Sequence, residues 1–361
     1  MPHKKVLMLE SGSFKNIGGA AKDTYKLYKR LSKWYEIDLF GDFSKIDKNI
    51  ETVSKMEFLH RKYDIIMLNS IRDVLFVNRY RHIHRKGNAR FVYVDRGGVL
   101  TNLSSAGARK LLPKTILRSS LISSMKKWLD YYVAISPLQE KLAKKYFDEN
   151  IKIKCIPIAP HDEFKVMKIG KNYTGALCVG RLDERQKRLS FMIRGIARVI
   201  EQHEELEGEE LLRIVGEGRD LERYKVLVDG LGLGANIRFL GFLTGNKLVE
   251  AYNNAGFLVS SSVWESFGRN FIEAMACGLP LLINDRINVE ISSKPKRSMV
   301  KGGYNGLVYR CDDISDFAEK FFRLYSNDKE RSRFGSNALS YSKNFSFGKV
   351  IGSYKKIFDS L

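Results

Sequence analysis

The sequence predicts an α/β protein built from two doubly wound, parallel-sheet (Rossmann-like) domains that face each other across a cleft. Three observations carry that prediction. Twelve short apolar runs recur along the 361 residues. Each is nearly continuously apolar rather than alternating, as expected of strands covered on both faces. Most are separated by stretches long enough for a helix, and strand–helix alternation builds parallel sheets with right-handed crossovers.

In the first half the runs lie at 6–9, 37–40, 65–68, 91–94, 132–135 and 155–158. In the second half they lie at 176–179, 211–215, 237–240, 257–260, 281–283 and 307–309. Twelve strands are many for one open sheet, so they divide six and six. A mass of 41.4 kDa suits two domains, each able to bury a sizeable core. The polar stretch 162–171, after Pro157 and Pro160, places the boundary so that residues 1–165 form one domain and 166–344 the other. Residues 345–361 form a terminal helix. In such sheets ligands bind beyond the carboxyl ends of the strands.

Composition removes several classes. With 44% hydrophobic residues the chain is not disordered. No run approaches the roughly 20 apolar residues of a spanning helix. The first residues are basic and then only briefly apolar, without a secretory h-region, so the expected location is the cytosol, peripheral at the inner face of the membrane. Cys155, Cys178, Cys277 and Cys311 are scattered with no C-x-x-C pair, which indicates neither a zinc site nor a disulfide framework. The acidic run from Glu201 to Glu210 reads as a solvated helix end or loop.

The strongest chemical signal is SSSVWESFGRNFIEAMACGLP, from Ser260 to Pro280. A strand ends near Ser260, a loop carries Glu265, Phe267 and Gly268, and a helix runs from near Asn270 until Gly278 and Pro280 stop it. The unpaired amides of that helix start, at Gly268, Arg269 and Asn270, suit phosphate. Glu265 in the loop and Glu273 one turn into the helix can reach two different hydroxyl-bearing parts of one ligand. A second signal is Gly180-Arg181 with Lys187 at another strand end, where fixed cations would stabilise a departing diphosphate. Arg185 and Arg188 are rivals for the second cation. A third is the turn Gly216-Glu217-Gly218, followed by Phe239-Leu240-Gly241-Phe242. A fourth is the pair Gly18-Gly19 between the first strand and its helix, where backbone can approach a ligand closely.

These motifs resemble the retaining nucleotide-sugar glycosyltransferases of family 4, which have the GT-B fold and an E-x7-E motif; the likeness covers the second half well and the first half loosely. The resemblance implies that Glu265 contacts the donor sugar and Glu273 the ribose hydroxyls. It also puts Arg181 and Lys187 on the diphosphate, Gly216 and Phe242 beside the nucleotide, and Gly18 and Gly19 at phosphate or acceptor. The first domain would hold the acceptor, the second the nucleotide-sugar, and the terminal helix would cross back onto the first. The family often has a histidine after its fourth strand, where this chain has Asp95-Arg96-Gly97-Gly98, so Asp95 or Arg96 is the candidate substitute, with Asp95 as the catalytic candidate. After Pro157 the chain has Ile158-Ala159 where the family tends to have Asn-Gly. The implied mechanism is front-face, with the leaving phosphate taking the acceptor proton. The implied cofactor set is empty beyond a UDP- or GDP-sugar donor. No D-x-D-like metal motif sits at a strand end, and Asp312-Asp313 reads as a loop or helix cap, so metal independence is expected.

Net charge is +21 and uneven. Residues 1–165 hold 32 Lys/Arg against 17 Asp/Glu, and residues 166–361 hold 30 against 24. The first half should therefore prefer an anionic partner. The segment from Arg109 to Leu129 interleaves cations with apolar residues and has Trp128 near one end, which fits an anionic membrane surface. That would bring the first domain to a lipid-linked or cell-surface glycan acceptor. No nucleic-acid-binding motif accompanies the charge, so nucleic acid is not expected. Two other classes share these features: a nucleotide-sugar epimerase of the same fold, and a binding protein that kept the site without turnover.

Overall fold

The computed structural model describes residues 4–10, 19–85, 88–96, 100, 120–167, 173, 175–291 and 298–361. The chain divides into two units, one of residues 1–157 with 348–361 and one of 158–347.

Unit 1 is a parallel sheet in the order β2-β1-β3-β4-β5-β6. Its strands are β1 (Lys5–Glu10), β2 (Glu36–Gly41), β3 (Ile65–Leu68), β4 (Arg90–Asp95), β5 (Tyr131–Ala134) and β6 (Lys152–Cys155). The helices α1 (Gly19–Leu31), α2 (Lys55–His60), α3 (Ile71–Arg85) and α4 (Pro137–Tyr146) lie between strands. β1, β3 and β4 are buried nearly throughout, which is why they read as unbroken apolar runs. β6 falls before the expected run 155–158. It is an edge strand of alternating Lys-Ile-Lys-Cys, only partly buried, and the apolar run beyond it contains Pro157, which has no N–H to give a ladder.

Unit 2 is a parallel sheet in the order β12-β11-β10-β7-β8-β9. Its strands are β7 (Ala176–Val179), β8 (Leu212–Val215), β9 (Ile237–Gly241), β10 (Phe257–Ser260), β11 (Leu281–Asn284) and β12 (Gly306–Tyr309). Its helices are α5 (Glu184–Lys187), α6 (Leu189–Gln202), α7 (Leu221–Gly230), α8 (Asn246–Asn254), α9 (Arg269–Ala276), α10 (Asp285–Ile291), α11 (Ile314–Ser326) and α12 (Asp328–Ser342). The core joins β7, β8 and β10 to the apolar stripe of α6, where Leu189, Met192, Ile193, Ile196 and Val199 are buried at helical spacing. Gly195 lets that helix lie against Phe317 of α11, since a Cβ there would sit 2.3 Å from the ring.

The last helix, α13 (Phe347–Ser360), packs in unit 1. Lys4 Nζ donates to the Phe358 carbonyl at 2.8 Å, the Tyr35 hydroxyl donates to Asp359, and the rings of Tyr35 and Phe358 meet edge to face at 5.3 Å.

Candidate functional site

Strand order in unit 2 reverses at β7, which has β8 on one side and β10 on the other. At such a switch point the loops leaving two adjacent strands diverge and leave room for a ligand. Both strong sequence signals sit there. Gly180 and Arg181 follow β7, and the loop to Glu265 follows β10.

Those two loops are joined by a set of hydrogen bonds. Lys187 Nζ lies 2.5 Å from Glu265 Oε1, and the two side chains are only 12% and 10% exposed. Ser262 Oγ donates to the same oxygen at 3.1 Å. Ser261 Oγ bonds the carbonyls of Lys187 and Arg188 at 2.7 and 3.0 Å, and the Val263 N–H donates to the Gln186 carbonyl at 2.9 Å. Lys187 stands six residues beyond Arg181 and still reaches the loop that follows β10. Arg185 is exposed, and Arg188 pairs with Asp312, so Lys187 is the cation beside Glu265. Gly180 leaves space for the lysine stem, because a Cβ there would lie 2.7 Å from Lys187 Cε. Arg181 is exposed just beyond β7. Asp313 caps α11 by accepting from the Asp316 N–H.

The helix α9 starts after Gly268, whose φ of +84° is the left-handed region that favours glycine. Arg269 and Asn270 open the helix. Asn270 Nδ2 donates to the Val179 carbonyl at 3.0 Å, which ties the helix start to the end of β7. Phe267 is buried and packs edge to face on Phe345 at 5.6 Å, so its ring is a core contact. Glu273 is 6% exposed, and its Oε2 accepts the Tyr252 hydroxyl at 3.0 Å. Buried Cys178, on β7, feels the charges of Lys187 and Glu265, and burial pushes its thiol up to about 11. Tyr252 feels both Glu273 and Cys178, so the two acids belong to one electrostatic neighbourhood.

Gly216 and Phe242 are placed differently. Gly216 has φ +142°, and a Cβ there would lie 1.9 Å from the Gly180 carbonyl oxygen. The turn therefore packs backbone on backbone against the β7 loop, with the Gly180 N–H donating to the Val215 carbonyl at 3.0 Å. Phe242 is 65% exposed at the end of β9.

In unit 1, Gly18 and the Gly97-Gly98 pair lie outside the described residues. Gly19 is the first residue of α1. Asp95 ends β4 fully buried, and its Oδ2 accepts the Tyr132 hydroxyl at 2.6 Å. Arg96 pairs with Asp23 at 2.9 Å, both side chains buried.

Sequence reasoning missed Glu10, the last residue of β1. The available signal was a carboxylate ending a buried parallel strand. It is buried, accepts the Thr24 hydroxyl at 3.1 Å, and burial raises its pKa from 4.5 to about 7, with Asp73 and Asp23 adding to the rise and Arg96 opposing it. The unfolded carboxyl ionises near 4.5, before the folded one. Stability is therefore full below that pH, falls as pH rises towards 7, and is level above it. The loss is on the order of 3 kcal/mol. Denaturant unfolding at about pH 5 and pH 7.5 should show this fall, and a Glu10→Gln variant should show a smaller one; identical falls in the two proteins would refute it.

The segment from Arg109 to Leu129 is described only from residue 120 on. There the structure corrects the membrane-facing expectation. Leu121, Ile122, Met125, Trp128 and Leu129 are buried in the unit 1 core, and Trp128 packs edge to face on Phe91 at 5.3 Å. Only Lys126 and Lys127 of its cations and apolar residues are exposed there. From residue 120 on, the apolar stripe is satisfied within the unit, as most amphipathic stripes are. Among the described residues no helix is long and apolar enough to cross a membrane, and no cluster of three or more His, Cys, Asp or Glu could hold a metal ion.

Residues 161–341 match the family described as Glycosyl transferases group 1. A D-inositol 3-phosphate glycosyltransferase of Corynebacterium jeikeium is 29% identical over 189 residues, covering 51% of this chain and 42% of that protein. A lipopolysaccharide 1,6-galactosyltransferase of Salmonella typhimurium is 28% identical over 215 residues, covering 56% and 54%. The chain thus spans about half the length of these two curated relatives. The crystal structure of Anabaena HepE in complex with UDP and glucose superposes with a TM-score of 0.75 at 17% identity, covering 99% of this chain and 100% of that one, a likeness of fold. Two six-stranded parallel sheets with flanking helices are the GT-B architecture.

Proposed function

The chain belongs to the group 1 glycosyl transferases, and on that premise we propose that it moves a sugar from a nucleoside-diphosphate donor to an acceptor hydroxyl with retention at the anomeric carbon. The observation that carries this reading is the Lys187–Glu265 pair beside the β7/β10 switch point. It sets a cation of the kind that neutralises a leaving diphosphate against an acid of the kind that grips sugar hydroxyls.

In this reading Lys187 and the exposed Arg181 take the diphosphate, assisted by the amides of α9 after Gly268 and Arg269. Glu265 takes the sugar and Glu273 the ribose. Asn270 and Phe267 serve by fixing the start of α9, and Gly216 by fixing the turn beside β7. Phe242 offers its exposed ring to the base. In unit 1, Gly18 and Gly19 serve the acceptor, and Asp95, fully buried on the Tyr132 hydroxyl, serves by fixing the end of β4. The leaving phosphate accepts the acceptor's proton, so no protein nucleophile and no metal is required. A UDP-sugar is the first donor to try, because the HepE structure of like fold holds UDP and glucose. The acceptor is a lipid-linked or cell-surface glycan precursor, a choice supported by the lipopolysaccharide galactosyltransferase among the relatives. Unit 1 approaches an anionic membrane through its cations rather than through an inserted apolar face.

One purified preparation tests this. A panel of nucleotide sugars is screened for thermal stabilisation; a donor at 100 times its dissociation constant adds about 2.7 kcal/mol. We expect a UDP-sugar to raise the melting temperature, and its turnover to release UDP only with acceptor present and to survive chelation. The same protein should float with anionic vesicles at low salt and not at high salt. Interconversion of the sugar without acceptor would favour an epimerase, and failure of every donor to stabilise the protein would end the proposal.

A further inference from the structure

We propose that Tyr252 is a positioning residue for nucleotide binding, holding the Glu273 carboxylate in the orientation in which it receives the ribose hydroxyls. The inference rests on the ribose assignment of Glu273 and adds a residue to it. A glutamate has three rotatable bonds, and a carboxylate that must take both hydroxyls of a diol works only when it is held still. Glu273 lies on the fifth position of α9, 6% exposed, where an ionised carboxyl needs hydrogen-bond donors to remain charged.

Tyr252 supplies such a donor from a different helix, α8. Its hydroxyl donates to Glu273 Oε2 at 3.0 Å, with both atoms buried. The phenol is itself held in place. Tyr252 is fully buried, and its ring meets Phe164 edge to face at 5.6 Å. Burial and the nearby Glu273 charge keep its proton on at any working pH, so it remains a donor. A hydroxyl on a ring with two side-chain torsions, packed on all sides, is a rigid donor. Because the bond takes Oε2, it also sets the plane of the carboxylate and thus the direction in which the carboxylate accepts from a ligand.

The test uses the full chain and two probes, UDP and 2′,3′-dideoxy-UDP, titrated calorimetrically, with the GDP pair run alongside. Wild type should bind the ribose nucleotide more tightly than its dideoxy analogue, and Glu273→Gln should reduce that preference. Tyr252→Phe removes one oxygen and keeps the ring. It should weaken binding of the ribose nucleotide about tenfold and leave the dideoxy analogue unchanged. A purely structural role for Tyr252 would weaken both probes alike, and that result overturns the proposal, as does no change in either. A wild type that binds the two probes equally overturns the ribose assignment and this inference together, so the two failures are distinguishable. Should Tyr252→Phe fold poorly, 3-fluorotyrosine at position 252 keeps both ring and hydroxyl while strengthening the donor. It should then tighten the ribose nucleotide alone, and an equal change in both probes would refute the inference.

Discussion

Replacing Glu265 with alanine should lower kcat by about 10²–10³-fold while UDP affinity is kept or improved. The two effects separate because UDP carries no sugar. Among the described residues Glu265 Oε1 bonds Lys187 and Ser262, and in the proposed reading it makes its ligand contact with the sugar. Its removal deletes that contact and frees Lys187 for the diphosphate. The variant should also be less stable. Lys187 is 12% exposed, and taking one partner from a buried pair leaves an uncompensated charge, a loss of about 3–5 kcal/mol in general and less here where the lysine can turn towards water. Glu265→Gln keeps the shape and can still accept from Ser262 and Lys187 but leaves the lysine charge uncompensated, so it should recover part of the stability without recovering turnover. Steady-state kinetics with a UDP-sugar and calorimetry with UDP decide the matter. Turnover of Glu265→Ala within threefold of wild type would remove Glu265 from the chemistry.

The second large effect is structural. Gly216→Ala should destabilise unit 2 by about 3–5 kcal/mol, roughly 10 °C in melting temperature. The new Cβ would lie 1.9 Å from the Gly180 carbonyl oxygen, and a φ of +142° is strained for any residue with a side chain. Neither backbone can retreat easily, because the Gly216 N–H donates to the Gly241 carbonyl at 2.8 Å and the Gly180 N–H to that of Val215. Gly241→Ala is the control. It has φ +67° with open space around a Cβ, so only the left-handed penalty of about 1–2 kcal/mol applies. Equal melting temperatures for the two variants would show that the close approach of the two loops is wrong. The pair also asks why a glycine stands at 216: a ligand-contact role alone would impair binding without lowering the melting temperature.

Much of the local structure around the candidate site was legible because its signals are local. The segment from Ser260 to Pro280 carries its own strand end, loop, helix start and stop, and the structure has β10 end at Ser260 and α9 run Arg269–Ala276. Lys187 was legible as a cation but not as the partner of Glu265, since the two are 78 residues apart in sequence. Arg185 and Arg188 were equally good candidates until the left-handed turn at Arg188 directed its guanidinium to Asp312. Trp128 misled because an amphipathic segment reads the same whether its apolar face meets lipid or a protein core.

The amino-acid sequence by itself determined the layered α/β class, the two sets of strands and the segment that bears the acids. Backbone periodicity, helix stop signals and strand-end glycines act within a few residues and need no knowledge of the rest of the chain. Tertiary structure alone decided that β10 lies beside β7, and so that Lys187 meets Glu265; that Tyr252 meets Glu273; that Gly216 faces a carbonyl; and that Glu10 is buried beside Thr24. Those meetings depend on strand order and on which faces are covered, and hydrophobic patterning, which marks what is buried, does not say against what.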